Sequence, residues 1–426
     1  MSLTVEEIDW TTVEMPFREV PERNMMRQNS HSNIYDVFEV ELSDGSIGAG
    51  AGSGYEWPLG EDPPIDGVFG DEATAHLWND SLPLGLQRAL FDAVGRSLGV
   101  PVHELLGEKV HDETPLAWWC IDMSPEDWLA ECETAIERGY TAVKLKGRPW
   151  WDIWEQMDVL SENLPEWFEI SIDFNATLLD ADRAIPILED LDEYPQFKSV
   201  EGPIEYEDTE GNHRIGDAID ADIALHYGSP PATEQICERP CDGFVFYGAP
   251  PEETMQQLHV AAEADMPGFL QYPGTGLAAA FALHYGAVGE TATWPAISTY
   301  ELYEESLLEC GFIEVEDGYA EVPDSPGLGY ELDRDAVADL AIERPEERPN
   351  PPVLTEWYWP EEETRVYLTS NSQTGHAKDA EVPFYSRGAR ARRVPDDGSD
   401  AWQQLYETAT ENEPYVVEGE APEGAK

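Results

Sequence analysis

From about residue 114 onward, the sequence alternates short apolar segments with stretches of helical spacing. Short apolar strands that alternate with helices predict an α/β protein whose parallel sheet is covered by helices on both faces. Seven or eight such units fit a β/α barrel, in which the chemistry lies at the carboxyl ends of the strands. The predicted strands are 115–119, 140–146, 168–173, 198–201, 222–226, 243–246 and 268–271, and the predicted helices include 125–138, 151–163, 179–192 and 214–219.

The segments on either side of this region follow other patterns. Residues 37–50 indicate two alternating strands around an Asp44-Gly45 turn, and a helix is predicted over 82–106. We therefore divide the chain into an α+β domain at 1–112, a barrel at 113–330 and a C-terminal segment at 331–426. In that last segment we expect a proline-rich linker at 343–353, strands near 354–369 and 383–394, a helix at 399–409 and a disordered acidic end from about Glu411.

The charge of the chain excludes several classes of partner. It has 88 Asp and Glu against 24 Lys and Arg, a net charge of -64. Such a surface repels nucleic acid and anionic membranes. Adaptation to concentrated cytoplasmic salt explains this charge best, because at molar salt the Debye length is ~3 Å. The alternative is an acidic protein of ordinary cells. Five cysteines without CxxC spacing and the lack of a signal segment favour a cytoplasmic location.

Lysine is scarce, with six in the whole chain, yet Lys144 and Lys146 are one residue apart. Alternate residues of a strand point to the same face, so both ammonium groups lie on one side of the predicted strand. Their repulsion, together with burial, lowers a lysine pKa and can produce a base near neutral pH. The alternative is a solvated strand end without a catalytic role.

Carboxylates end the next two predicted strands. Asp173 ends one, with Asn175 two residues on, and Glu201 ends the other. Hard carboxylate oxygens at one barrel rim suit Mg²⁺ or Mn²⁺. A lysine opposite such a metal is an arrangement for removing a proton α to a carboxylate. In a chain with 88 acidic residues, surface carboxylates are the alternative explanation.

Four stretches in this order and spacing resemble the enolase superfamily, in its mandelate racemase and muconate-lactonizing branch. They are residues 89–107, 139–146, 172–175 and 317–329, and the resemblance covers roughly residues 35–340. It implies a modified (β/α)₇β TIM-type barrel under an α+β capping domain built from both chain ends. The loops of that domain close the site and select the substrate. It also favours a homo-oligomer, and it leaves the role of the last hundred residues unknown.

Matched by position, the resemblance assigns a role to each residue at the rim. Lys146 would be the general base, and Lys144 a neighbour that tunes its pKa or contacts the substrate carboxylate. Asp173 and Glu201 would bind Mg²⁺, and Asn175 would orient ligands or substrate.

Three strands depart from the family pattern. The fifth reads Ile223-Ala-Leu-His-Tyr-Gly228 where the family has its third acidic ligand. Tyr227 takes that place without a gap; His226 takes it after a shift of one, and its imidazole favours Mn²⁺ over Mg²⁺. The sixth strand lacks the family's second lysine and ends near Tyr247, a candidate for the second proton or a core aromatic. The seventh ends at Gln271, a substrate-binding candidate, without the family's histidine.

The N-terminal loops supply the remaining substrate-binding candidates. Arg18 and Arg27 could bind a distal carboxylate, although pairing with nearby glutamates is the alternative. Tyr55 and Trp57 could line the same lid.

With no base on the second face, we expect a one-base elimination, most simply dehydration of a sugar acid or hydroxy acid. The substrate would be a small-molecule carboxylate. The alternatives are a racemase or epimerase, a cycloisomerase, and a non-catalytic acid-binding homologue.

Overall fold

The computed structural model describes residues 3–25, 32–370 and 373–425. An N-terminal α+β domain comes first, and its three strands form an antiparallel sheet in the order β1-β2-β3. Glycines let a helix lie directly on this sheet, because a Cβ on Gly48 would come within 2.1 Å of the backbone nitrogen of Ala93. The elements are β1 (Val5–Glu14), α1 (Glu19–Met25), β2 (Ile34–Leu42), β3 (Ile47–Ser53), α2 (Leu84–Leu98) and α3 (Val102–Leu106).

Eight parallel strands then form a closed barrel, which confirms the predicted fold. Each strand pairs with the next along the chain, and β11 pairs with β4 to close the ring. Seven helices alternate with the eight strands. The elements are β4 (Glu113–Trp119), α4 (Pro125–Glu137), β5 (Ala142–Lys146), α5 (Ile153–Asn163), β6 (Glu169–Asp173), α6 (Ala181–Asp192), β7 (Phe197–Glu201), α7 (Thr209–Gly216), β8 (Asp222–His226), α8 (Ala232–Glu238), β9 (Gly243–Tyr247), α9 (Pro251–Glu263), β10 (Gly268–Gln271), α10 (Gly276–Val288) and β11 (Ala296–Ile297).

Local sequence signals explain where many of these elements begin and end. Ser124, Asp152 and Asp180 each cap a helix by accepting a backbone N–H with the side chain. The single helix predicted over 82–106 is divided into α2 and α3, because Gly99 adopts a left-handed conformation with φ of 72°. No helix of the described residues is both long and apolar enough to cross a membrane.

After the barrel, the chain returns to the N-terminal domain. Strand β12 (Tyr319–Glu321) pairs antiparallel with β4, and α11 (Arg334–Leu340) leads to a bridge between Val13 and Ala341. The buried carboxylate of Asp36 then accepts a hydrogen bond of 2.5 Å from Arg344, which stacks on the Trp57 ring. The C-terminal segment therefore anchors on the N-terminal sheet.

The remaining residues form a separate α+β unit, which we call the C-terminal unit (residues 353–425). Its sheet has the order β15-β13-β14-β16. The predicted disordered end differs from the structure, because Tyr415 and Val417 pack against the core of this unit and β16 pairs with β14. The elements are β13 (Leu354–Trp359), β14 (Thr364–Leu368), α12 (Gln373–Lys378), β15 (Arg390–Val394), α13 (Asp400–Glu411) and β16 (Tyr415–Glu418).

Candidate active site

Two lysines and two carboxylates meet at the carboxyl ends of β5, β6 and β7. Lys146 pairs in register with Asp173, which in turn pairs with Glu201. The Nζ of Lys146 donates to Oδ2 of Asp173, and the Nζ of Lys144 forms an ion pair with Oε2 of Glu201. Lys144 Nζ also lies 3.7 Å from Asp173 Oδ2. Both carboxylates are fully buried, so these four charges form one compact cluster.

Burial and neighbouring charge shift the pKa values of this cluster. Burial lowers the pKa of Lys146, and the cations of Lys144 and Arg148 act in the same direction, while Asp173 and Glu201 oppose them. Burial alone would raise the pKa of Asp173, but Lys146, Lys144 and Arg148 together hold it below its usual range. The site therefore favours an ionised Asp173 beside a lysine that releases its proton more easily than a surface lysine.

Asn175 joins the cluster through the loop that follows β6. Its Oδ1 accepts hydrogen bonds from Lys146 Nζ at 3.2 Å and from Arg148 Nη2 at 2.6 Å. Its backbone N–H donates to Oδ1 of Asp173 at 2.8 Å. Asn175 and the next residue, Ala176, have φ of 46° and 63°, a left-handed conformation that costs energy for residues with a Cβ. The surrounding contacts hold this strained turn at the carboxylate.

The structure distinguishes the two residues at the end of β8. His226 faces the cluster, with its Nε2 3.2 Å from Oε1 of Glu201. Tyr227 points out of the barrel, where its ring packs against Phe244 and Phe246. Of the two candidates for the third ligand, His226 therefore lies at the site.

Aromatic rings cover the histidine on both sides. Tyr206 stacks on His226 with ring centroids 5.4 Å apart, and Tyr247 lies at the same distance with a tilt of 38°. Burial raises the pKa of the Tyr206 phenol, and the charges of Asp173 and Glu201 add to that rise. Tyr247 is 53% exposed at the end of β9. Tyr206 is therefore a fixed neutral neighbour of the carboxylates, whereas Tyr247 is open to a ligand.

Three side chains at the rim have the chemistry of ligands for a divalent cation. Asp173, Glu201 and His226 offer carboxylate oxygen and imidazole nitrogen at adjacent strand ends, and both carboxylates are fully buried. Within the described ranges, no three acidic, histidine or cysteine side chains converge closely enough to hold a metal ion. Ammonium groups contact both carboxylates instead. The residues fit a divalent cation once Lys144 and Lys146 turn away from these oxygens.

Known proteins share both the sequence pattern and the architecture. Residues 251–336 match the family described as "Enolase C-terminal domain-like". Muconate cycloisomerase 1-1 of Acinetobacter lwoffii is 27% identical over 79% of this chain and 96% of its own length. N-succinylamino acid racemase of Thermus thermophilus is 28% identical over 64% of this chain and 75% of its own. A solved enolase from Thermobispora bispora, complexed with magnesium and formate, superposes with a TM-score of 0.65 at 20% identity, covering 80% of this chain and 92% of that one.

These matches make the chain similar to members of the enolase superfamily. Its predicted resemblance to the mandelate racemase and muconate-lactonizing branch of that superfamily is confirmed, as is the prediction that it is an enzyme.

The protein has lysines on one side of its barrel mouth. On the opposite side, β9 ends at Tyr247 and β10 ends at Gln271, whose Oε1 accepts from Lys144 Nζ. Gln271 thus fixes the ammonium group of Lys144 and lies within the cluster, and its role in substrate binding stays a prediction. The ends of β9 and β10 contribute no ammonium or imidazole group.

A cleft of about 420 Å³ opens beside Tyr247, between the N-terminal domain and the barrel. Tyr55 lines this cleft, and its role as a lid residue stays a prediction. Trp57 does not: it is buried, packs against Phe38 and lies under the Arg344 guanidinium. The predicted lid role of Trp57 is therefore corrected to a role in the core of the N-terminal domain, because its large apolar ring is buried there.

Arg18 in the first loop has a carboxylate partner within the protein. Arg18 donates to both carboxylate oxygens of Glu131, at 3.1 and 2.5 Å, and to the backbone oxygen of Glu301. This internal pair replaces the predicted contact of Arg18 with a substrate carboxylate. It agrees with the alternative prediction, in which the arginine pairs with a glutamate of the protein. Arg27 lies outside the described residues.

Sequence reasoning missed Arg148 and Tyr206. Arg148 is a scarce basic residue two positions after Lys146, and that proximity was a usable signal. No sequence signal pointed to Tyr206, because its position depends on a tight turn at Gly202. A Cβ on Gly202 would come within 2.5 Å of the Tyr206 ring.

Proposed function

We propose that this enzyme transfers a proton at the carbon α to a carboxylate, with a divalent cation as cofactor. The observation that carries the proposal is the lysine pair held against Asp173 and Glu201 at adjacent strand ends. Asp173, Glu201 and His226 would hold the cation, Mg²⁺ first and Mn²⁺ second because of the imidazole. When bound, such a cation withdraws electron density from a substrate carboxylate and makes its α C–H more acidic.

The residues of the chain perform the proton transfer. Lys146, in its neutral form, takes the α-proton, and the electron pair of the C–H bond is delocalised into the substrate carboxylate. The ammonium group of Lys144, fixed by Gln271, lies beside the negative charge that develops there. Burial of Lys146 favours this step because it lowers the pKa of the ammonium form.

Cycloisomerisation is the reaction that this arrangement supports best. With lysines on one face, Lys146 can remove the α-proton while an intramolecular carboxylate leaves the β-carbon and a C=C bond forms. In the reverse direction the carboxylate adds to the C=C bond and protonated Lys146 returns the proton to the α-carbon on the same face. The likeness to muconate cycloisomerase over most of both chains agrees with this choice.

Two other reactions use the same first step. In dehydration, which the sequence favoured, the leaving group is a β-hydroxyl instead of a carboxylate, and the exposed Tyr247 would protonate it. Racemisation, the activity named for the Thermus relative, requires a base on the opposite face. Tyr247 would have to serve there, so racemisation is the less favoured of the two.

The test is α-proton exchange in deuterium oxide with Mg²⁺, using muconate-type, N-succinylamino and sugar-acid carboxylates. We expect deuterium incorporation by the wild type and a loss of about 10³-fold in Lys146→Met. Lys198→Met is the matched control, because Lys198 is an exposed lysine on β7. Removal of the metal with a chelator should abolish exchange, and its return should restore it. The proposal would be contradicted if no substrate class exchanged its α-proton, or if the Lys146 and Lys198 variants exchanged it at equal rates.

A further inference from the structure

The C-terminal unit (residues 353–425) packs against the loop that follows Lys146. Trp357 stacks on Trp150 with ring centroids 3.9 Å apart and planes at 8°. The indole N–H of Trp359 donates to the backbone oxygen of Pro149 at 2.9 Å. These rings share one buried cluster with Trp151, so the unit and the loop have a common core. The unit is thus anchored directly beside the catalytic strand β5.

Backbone contacts continue this interface. The N–H of Asp152 donates to Ala389 oxygen at 3.0 Å, and its carboxylate accepts from the N–H of Gly388 at 2.7 Å. Arg387 adds an ion pair to the same carboxylate at 3.8 Å. Asp152 also caps helix α5. One residue therefore ties the start of α5 to the C-terminal unit.

The unit also contacts the loop that follows Asp173. The hydroxyl of Tyr385 lies 2.7 Å from Oγ1 of Thr177, and its ring packs edge-on against Phe174 at 5.9 Å. Tyr385 is buried. This is the loop with left-handed Asn175 and Ala176, a conformation that persists only where surrounding contacts impose it. Tyr385 supplies contacts of that kind from outside the barrel.

The two loops meet at the active site through Arg148. Its guanidinium is buried and donates to the backbone oxygen of Asp173 at 3.1 Å and to the side chain of Asn175 at 2.6 Å. Pro149, the acceptor of the Trp359 hydrogen bond, is the next residue. A shift of either loop would therefore move Arg148, Asn175 and the carboxylate of Asp173 together.

We infer that the C-terminal unit is a brace for the catalytic rim of the barrel, with Trp359 and Tyr385 as positioning residues. Trp359 acts through Pro149 on Arg148, and Tyr385 acts through Phe174 and Thr177 on the loop of Asn175. This inference rests on the proposed function for its link to the cation. The unit lies beyond residues 35–340, which carry the superfamily motifs, so it is an addition that supports the site from outside.

The test compares matched variants of the full chain. Trp359→Phe removes the N–H that contacts the barrel, and Trp402→Phe removes an equivalent N–H that donates to Val394 inside the unit. Tyr385→Phe is matched by Tyr367→Phe, whose hydroxyl donates to Glu356 within the unit. Calorimetric titration with Mg²⁺ alone should show about tenfold weaker binding in the two interface variants and wild-type affinity in the two controls.

Hydrogen exchange of backbone amides supplies a readout that is independent of the metal. We expect faster exchange in residues 147–152 of Trp359→Phe and in 173–178 of Tyr385→Phe, with unchanged exchange there in both controls. Wild-type exchange in both loops of both interface variants would overturn the brace, as would equal Mg²⁺ affinity in variants and wild type. A wild type that binds no Mg²⁺ would refute the proposed function instead, and the exchange data alone would then decide on the brace.

Discussion

Asp173 is the residue on which most charged contacts of the site converge. Its Oδ2 accepts from Lys146 and, at 3.3 Å, from the amide of Asn175, while Lys144 lies 3.7 Å away. A divalent cation would compete with the two ammonium groups for the same oxygen. Binding of the cation therefore requires a lysine to move or to lose its proton. This competition couples the metal affinity to the protonation of the lysine pair.

His226 gives a test of the proposed ligand set. His226→Asp replaces imidazole by carboxylate, so the Mg²⁺ affinity should rise relative to the Mn²⁺ affinity, by about tenfold in their ratio. Calorimetric titrations with each ion measure that ratio. Tyr227→Asp is the control, because its side chain points away from Glu201. An unchanged ratio in His226→Asp would remove His226 from the ligand set.

Glu301 makes stability depend on pH. Burial raises its pKa from 4.5 to about 7, against hydrogen bonds from its own N–H and Tyr140 and the charge of Arg18. Below pH 4.5 the Glu301 carboxyl is protonated in both the folded and the unfolded protein, so its ionisation does not lower the free energy of unfolding. As the pH rises toward 7, the unfolded state releases the proton first, so stability falls by roughly 3 kcal/mol at ~1.4 kcal/mol per pH unit.

Glu301→Gln should remove this loss, because the amide is neutral at every pH and can still accept from Tyr140. The measurement is the free energy of unfolding in urea between pH 4 and 8 at constant salt. The difference between variant and wild type should grow in favour of the variant up to pH 7 and then level off. A constant difference across this range would contradict the assignment.

At the scale of elements, the loops after β5 and β6 interlock at the rim. A Cβ on Gly147 would lie 2.6 Å from Cε1 of Phe174, and the N–H of Gly147 donates to the backbone oxygen of Asp173. Phe174 cannot easily yield, because it is buried and packs against Tyr385. The two loops therefore act as one unit that carries the site.

Gly147→Ala should displace Phe174 and cost about 1–3 kcal/mol of stability, the usual range for overpacking. It should also weaken Mg²⁺ binding, because the same loop positions Asp173. Urea unfolding and Mg²⁺ titration measure the two effects. Gly375→Ala is the control, since its added Cβ would meet open space within helix α12. Equal stability and equal Mg²⁺ affinity of the two variants would show that the loops after β5 and β6 are not packed together as described.

For the whole molecule, charge is the dominant property. A net charge of -64 produces self-repulsion that favours unfolding in dilute buffer. Raising the ionic strength from 0.1 to 1 M shortens the Debye length from ~10 to ~3 Å, which screens this repulsion.

We therefore expect the Tm to rise steeply with KCl up to about 1 M and to change more slowly beyond. Differential scanning calorimetry over a KCl series measures this dependence. Sucrose at equal osmolality is the control, because it stabilises without screening charge. A Tm that does not change with KCl would contradict adaptation to concentrated salt.

Several features of the site could be predicted from local sequence because they depend on position within a strand. The alternation of Lys144 and Lys146, and the places of Asp173 and Glu201 at strand ends, follow from strand geometry and the order of elements. Arg18 and Trp57 could not be assigned this way. Their partners, Glu131 and Arg344, are 113 and 287 residues away, and no local pattern specifies such pairs.

The sequence by itself determined the barrel, the N-terminal α+β domain and the lysine and carboxylate positions, because periodicity and strand ends are encoded within a few neighbouring residues. The tertiary structure alone decided between His226 and Tyr227, brought Arg148 and Tyr206 to the site, and placed the C-terminal unit against the catalytic rim. The physical reason is that these outcomes depend on packing between distant segments. The contact of Trp359 with Pro149 joins residues 210 positions apart, and it exists only when the whole chain is folded.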